Sequence, residues 1–287
     1  MSIEKKIVVV EEEETAITIV EKKQAVAQPT PHTMTELRDR YQKLVYLIDE
    51  SGSMSSRMPQ DIEGKEFPNC TVCDGTGKRK NEWQVSEENP EGLVDCYYCD
   101  GKGKDVPYLS KVDCVKTVMK RFIEQRFKKY SDALVGLTGF EGTGMQHQYC
   151  VAGSSKDQVL GAVDRLRANG STDIFSAVDF GLRDCEIAKS PVGSHHIVLV
   201  SDGMDRGAEE VAGLVNRMKE QNVIFDFIFI KGKDAVDLES GYGIAIKALK
   251  ATTSATGGEY FEVSSDKDFE QKFFEVSLRP ALPPYRG

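Results

Sequence analysis

Four short apolar runs constrain this chain more than anything else in it. Lys43-Leu44-Val45-Tyr46-Leu47-Ile48, Ala133–Phe140, His196–Val200 and Val223–Ile230 are each nearly continuous in hydrophobic residues. A strand with one solvent-facing side alternates apolar and polar residues, so an unbroken run of this length suits a strand covered on both faces, as in a parallel sheet. Helical patterns lie between the runs, at about Lys111–Lys128, Lys156–Ala168, Asp173–Ala188, Ala208–Gln221 and Gly243–Ala255. A last strand, Glu259–Val263, and a last helix, Asp266–Ser277, close the series, and Met145–Val151 reads as an added edge strand. The alternation predicts an α/β fold, a doubly wound and mostly parallel sheet flanked by helices.

One stretch interrupts it. Residues 57–107 are polar and rich in Gly and Asn, and they hold two Cys-x-x-Cys pairs. A structureless loop of that length is foreign to a compact domain, so a small inserted module with its own staple is expected. The domain proper then comprises 37–56 and 108–277. Residues 1–36 read as a flexible or hairpin extension, because β-prone Lys6–Val10 and Ala16–Val20 flank the acidic run Glu11–Glu14 and precede a Pro- and Thr-containing linker. Residues 278–287 form a Pro-rich tail.

Two constellations carry chemistry. Asp49-Glu50-Ser51-Gly52-Ser53 follows directly on the first apolar run. In an open parallel sheet, ligands bind beyond the carboxyl ends of the strands. Gly170-Ser171-Thr172-Asp173 stands just before a helix, and Ser201-Asp202-Gly203 follows the run His196–Val200. Both belong on the same edge as Asp49. Separately, each reads as a turn or helix cap; together they offer one hard cation a set of oxygen ligands.

The second constellation is an internal repeat, Cys70-Thr71-Val72-Cys73-Asp74-Gly75-Thr76-Gly77 and Cys96-Tyr97-Tyr98-Cys99-Asp100-Gly101-Lys102-Gly103. Each pair can aim two thiolates at one ion, and the glycines let the backbone fold under the sulfurs. Two such knuckles make a closed four-thiolate site, the usual arrangement for structural zinc. A redox dithiol or an iron–sulfur cluster is the alternative. Lys78, Arg79, Lys80, Lys102 and Lys104 are near enough in sequence to offset the thiolate charge. Trp83, between the repeats, is expected to pack on the zinc hairpin, with exposure to a partner as the other reading. Cys114, Cys150 and Cys185 read as buried free thiols, and His147, His195 and His196 as structural residues.

These residues carry two resemblances. Asp49-x-Ser51-x-Ser53, Thr172 and Asp202, in that order on this pattern, make residues 40–56 and 108–277 resemble a von Willebrand factor A (vWA) domain with a complete metal-ion-dependent adhesion site. The resemblance implies Mg²⁺ (or Mn²⁺ or Ca²⁺) on those five residues, with one position open to a partner's Asp or Glu. It implies a non-enzymatic adaptor, of a kind that acts with AAA+ ATPases or in other multi-protein systems. The Cys repeats resemble the zinc centre of DnaJ-type co-chaperones, with two repeats where that family has four, so one zinc is expected. The alternative function is a chaperone-like or nucleic-acid-binding protein acting through the zinc hairpin.

Composition narrows this further. A net charge of -9 argues against a broad phosphate-binding surface. No apolar segment is long enough to span a bilayer, and Ile7–Val10 is too short for a signal-peptide core, so a cytoplasmic protein is expected. Cys-x-x-Cys spacing in a reducing compartment favours metal over disulfides.

Overall fold

A computed structural model describes residues 36–279 apart from 38, 59, 61–65, 100, 143, 188–192, 204–206 and 232–240. Residues 1–35 and 280–287, most of the expected extension and tail, lie outside the described residues.

The strands are β1 (Lys43–Asp49), β2 (Lys78–Lys80), β3 (Leu93–Asp95), β4 (Val135–Glu141), β5 (Met145–Cys150), β6 (His195–Ser201), β7 (Val223–Ile230) and β8 (Tyr260–Val263). The main sheet runs β5-β4-β1-β6-β7-β8. All its neighbours are parallel except the hairpin β4–β5. β1 is central, with β4 on one side and β6 on the other. The chain winds outward from β1 in both directions, so a crevice opens at the carboxyl end of β1, where the strand order reverses.

The continuous apolar runs have the expected cause. All seven residues of β1 are buried. Leu44, Tyr46 and Ile48 face one core and Val45 and Leu47 the other, the two-residue period of a strand. The first core is closed by α1 (Lys111–Lys129), α2 (Lys156–Arg165) and α6 (Asp266–Ser277). The second is closed by α3 (Ile174–Ile187), α4 (Val215–Glu220) and α5 (Gly241–Ala255). Tyr46 stacks on Phe273 with ring centroids 5.4 Å apart, and Phe122 meets both rings edge-on.

Local chemistry fixes the start of α1. Ser110 caps it, its side chain accepting from the Asp113 N–H, and Asp113 adds negative charge to the first turn. Val112, Val115, Met119, Phe122 and Ile123 then form its buried stripe.

Two expected helices come out shorter. Lys156–Ala168 ends at Arg165, because Leu166 turns extended with ψ 140°. Ala208–Gln221 begins as a 3-10 turn over Ala208–Leu214 and becomes α-helical only at Val215. Gly207 precedes it with no side chain to cap the first turn, and Gly213 weakens its interior.

The insertion is a small lobe. β2 and β3 pair antiparallel, with Lys78 opposite Asp95 and Lys80 opposite Leu93. Its two ends meet at the main domain, where Arg57 bridges Ser110. Among the described residues, no helix is long and apolar enough to cross a membrane.

Candidate metal centres

The first centre lies in the crevice beyond β1 and β6. Asp49, the last residue of β1, is fully buried. Its Oδ1 accepts from the backbone N–H of Ser51 at 2.7 Å, which bends the chain sharply after the strand. Its Oδ2 accepts from the Ser201 hydroxyl at 2.5 Å. The hydroxyls of Ser51 and Ser53 stand 2.9 Å apart, and Ser53 donates to Asp202 Oδ1 at 2.6 Å. Thr172 stands across Gly203: a methyl group added there would come 3.0 Å from Thr172 Oγ1 and 3.9 Å from Asp49 Oδ2. All five sequence-derived residues thus meet in one crevice. The helix-cap role open to Thr172 is taken instead by Asp173, whose Oδ1 accepts from the Ser176 N–H at 3.0 Å.

The Asp49–Ser53 loop, the loop before Thr172 and Gly142 after β4 are laced together by backbone. Gly52 N–H donates to Gly170 O at 2.9 Å, Asn169 N–H to Glu50 O at 2.5 Å, and Gly142 N–H to Ser171 O at 2.7 Å. This approach is too close for a side chain at Gly142, where a Cβ would sit 1.5 Å from the Ser171 hydroxyl oxygen.

Burial pushes the Asp49 carboxyl up to about 6 from an ordinary 3.8, with Asp202 adding to the rise and the Ser201 and Ser51 hydrogen bonds opposing it. An anion held at such a cost suits a position that a cation completes. The donor set fits a hard divalent ion: only carboxylates and hydroxyls. Adjacent ligands around Mg²⁺ at its usual bond length stand about 3 Å apart, close to the Ser51–Ser53 spacing.

Three neighbours of this crevice escaped the sequence reading. Ser201 anchors Asp49, and its only signal was adjacency to Asp202. Lys111 places Nζ 2.5 Å from Asp202 Oδ2, with its side chain 8% exposed. Nothing local links the start of α1 to the end of β6. Glu50 is buried beneath the loop, its carboxylate taking His147 Nδ1 at 2.9 Å, the Tyr149 hydroxyl at 2.8 Å and the Arg167 N–H at 2.8 Å. His147 is therefore a loop anchor. His196, more than a residue of strand entry, pairs with Asp226 at 2.5 Å, both fully buried.

The second centre is in the lobe. Cys70, Cys73, Cys96 and Cys99 are buried, and their sulfurs all lie within 4.8 Å of one another, a cluster able to hold a metal ion. Cys73 and Cys99 are 3.6 Å apart, against about 3.8 Å for the edge of a tetrahedral zinc–thiolate site. The two knuckles repeat each other's bonds. Gly77 N–H donates to Cys73 Sγ and Gly103 N–H to Cys99 Sγ, each at 3.3 Å. Cys70 N–H donates to Gly103 O and Cys96 N–H to Gly77 O, so each knuckle supports the other. Gly77 and Gly103 both adopt left-handed φ (74° and 69°), and a Cβ on either would lie 2.2 Å from the opposite knuckle's carbonyl. Burial opposes ionisation at Cys73 and Cys99. At Cys73 the Gly77 N–H and the neighbouring thiols outweigh it and bring the group down to about 7, whereas Cys99 is pushed up to about 12.

One expectation about the lobe is corrected. Trp83 does not pack on it; the residue is 95% exposed on the 3-10 turn after β2. Three of the nearby cations have hydrogen-bond partners of their own: Lys78 with Asp95 at 2.7 Å, Lys104 with Asn69 at 3.0 Å and Lys102 with the Gln60 carbonyl at 2.5 Å. Cys114, Cys150 and Cys185 are buried and free, as expected.

The centres share a stalk. Arg57 donates to the carbonyls of Tyr98, inside the second knuckle, and Val106. The Tyr108 hydroxyl donates to Ser55 O, at the end of the turn that carries Ser53. Lys111 N–H donates to Ser56 O at 3.0 Å. The lobe therefore rises from the carboxyl edge of the sheet, beside the crevice.

Against known proteins, the family model described as von Willebrand factor type A domain matches residues 109–275. The match begins where the insertion ends and leaves out β1, which the fold returns to the middle of the sheet. A von Willebrand factor type A structure from Catenulispora acidiphila superposes with a TM-score of 0.51 at 17% identity, over 83% of this chain and 42% of that one. The SpRpn10 VWA domain gives 0.48 at 13%, over 83% and 96%. A mutant PilB minor pilin from Streptococcus sanguinis gives 0.47 at 13%, over 82% and 60%. The chain thus spans less than two thirds of the Catenulispora and Streptococcus chains. No curated protein matches it.

Proposed function

The chain belongs to the von Willebrand factor type A domain family, and from that premise we propose that it is a metal-dependent protein-binding module of the adaptor type. Asp49, Ser51, Ser53, Thr172 and Asp202 would hold Mg²⁺ (or Mn²⁺ or Ca²⁺), and the ligand would be an Asp or Glu of a partner protein. The observation that carries this is the meeting of those five oxygen-bearing side chains, from three separate loops, in the crevice at the switch point of the sheet. A bound divalent cation supplies Lewis acidity toward a carboxylate oxygen. The chain's own contribution is to hold two carboxylates and three hydroxyls in register. Ser201 fixes the rotamer of Asp49, and Glu50 fixes the loop from below.

The reading is non-enzymatic. His147 and His196 are each engaged with a carboxylate, Glu50 and Asp226, rather than with a nucleophile. One zinc held by Cys70, Cys73, Cys96 and Cys99 would staple the lobe beside the crevice. A AAA+ ATPase or another member of a multi-protein system is the expected partner class.

Affinity capture from native lysate tests this, with wild type and Asp49→Ala, each with and without EDTA. Partners should be lost in the variant and on chelation. Capture unchanged in all arms overturns the proposal.

A second reading rests on Trp83, 95% exposed beside Val85 at 56%: the lobe itself touches a partner. Residues 57–107 hold eleven acids against seven bases, which argues for a protein over a nucleic acid. Loss of captured protein in Trp83→Ala, with Asp49→Ala unaffected, would favour it.

A further inference from the structure

Lys111 enters the crevice at the point where the inserted lobe ends. It is the first residue of α1, and its ammonium lies 2.5 Å from Asp202 Oδ2. The other oxygen of Asp202 accepts from Ser53. The backbone of Lys111 is tied to the same loop, its N–H donating to Ser56 O at 3.0 Å, while Ser110 before it is bridged to Arg57. The stalk of the lobe thus fixes a positive charge against an Asp of the cation crevice.

A buried ammonium is out of place in a crevice built only to hold a divalent cation, since like charges in a poorly screened site repel strongly. Charge counting gives it a use. Asp49 and Asp202 are the two anionic members of the set. A divalent ion on those two alone makes a neutral site, and an incoming carboxylate then adds an uncompensated negative charge. With Lys111 included, the ion-loaded site carries one net positive charge, and the incoming carboxylate brings it to neutrality.

We infer that Lys111 sets the balance between the two ligands: it weakens binding of the bare cation and strengthens capture of an acidic group by the ion-loaded site. The inference rests on the metal-binding reading above and deepens it.

Mn²⁺ binding to the full chain, measured by electron paramagnetic resonance with and without acetate as the carboxylate probe, tests this. Wild type should bind Mn²⁺ weakly and tighten several-fold in acetate. Lys111→Met should bind Mn²⁺ alone about tenfold more tightly and, at one fixed acetate concentration below saturation, lose most of the acetate gain. Lys111→Arg keeps the charge and should resemble wild type. If Lys111→Met does not fold, Lys111→Gln removes the charge while leaving a donor for Asp202. A charge-removing variant that binds Mn²⁺ no more tightly than wild type, or keeps the full acetate gain, overturns the inference. Wild-type protein whose Mn²⁺ binding is absent or insensitive to Asp49→Ala overturns the metal reading itself. Asp49-dependent binding that ignores Lys111 overturns only the role of Lys111.

Discussion

The lobe and the crevice solve the same problem, gathering ligands around one point, by opposite means. In the lobe, two near-identical eight-residue repeats supply all four sulfurs, and each repeat shapes itself. The chain turns under the sulfurs at left-handed glycines, and the N–H of the last glycine in each repeat points at a thiol. In the crevice, the oxygen-bearing side chains come from residues 49–53, 172 and 202, and no local rule aims them. The sheet does so, by ending β1 and β6 side by side. A local site can therefore be the cause of its region's fold, whereas a non-local site is a consequence of the fold around it.

That contrast can be broken. The largest effect is expected from Cys96→Ser with Cys99→Ser. Metal binding to a four-thiolate site is worth on the order of 10 kcal/mol, and the lobe has little other core. Zinc content should fall from about one per chain to none, and the lobe should become protease-sensitive between Arg57 and Ser110 while the sheet keeps its protection. A lobe that stays protected would show that it folds without its staple.

Gly77→Ala is next. Its Cβ would lie 2.2 Å from the Gly101 carbonyl at a φ of 74°. A cost on the order of 3 kcal/mol should appear as a zinc affinity weakened about a hundredfold. Competition with a chromogenic chelator reads this directly, and an unchanged affinity would mean that the knuckles need no close contact.

Asp49→Asn should act in the opposite sense on the metal-free fold. The folded carboxyl is raised to about 6 from 3.8, so ionised Asp49 destabilises the metal-free protein above pH 6, and that burden fades as pH falls toward 3.8. The shift corresponds to roughly 3 kcal/mol at neutral pH. The metal-free variant should therefore melt higher than wild type at pH 7.5, and the gap should fall to about half by pH 5 and close near pH 3.8. In wild type, Mg²⁺ should raise Tm at neutral pH, and the gain should shrink below pH 6, where apparent affinity falls about tenfold per unit. A variant that melts lower at neutral pH would make Asp49 a structural residue.

The smallest effect belongs to Trp83→Ala. A side chain this exposed should change stability by no more than about 0.5 kcal/mol. A larger loss on denaturant titration would mean that Trp83 holds the lobe together.

Sequence alone was enough for whatever depends on near neighbours. The apolar runs around Tyr46, Val198 and Phe227 announced strands buried on both faces, because only a doubly covered strand has no polar side. The Cys repeats announced a four-thiol cluster able to hold a metal ion, because the thiol pair and the glycines that serve it lie within eight residues. Asp49, Thr172 and Asp202 could be placed on one edge, because each follows a strand or precedes a helix in a parallel pattern. Other features were decided only by the tertiary fold. Lys111 and Asp202 are 91 residues apart, as are Glu50 and His147 by 97 and Asp49 and Ser201 by 152, and no periodicity links such pairs. Trp83 had reason to pack on the hairpin, but the β2–β3 turn aims it at solvent. Packing fixes which distant groups share a buried space, and the energy of a buried charge depends on that sharing. So the residues that meet in the crevice were legible in the chain, while the ammonium beside Asp202 was brought there only by the tertiary fold.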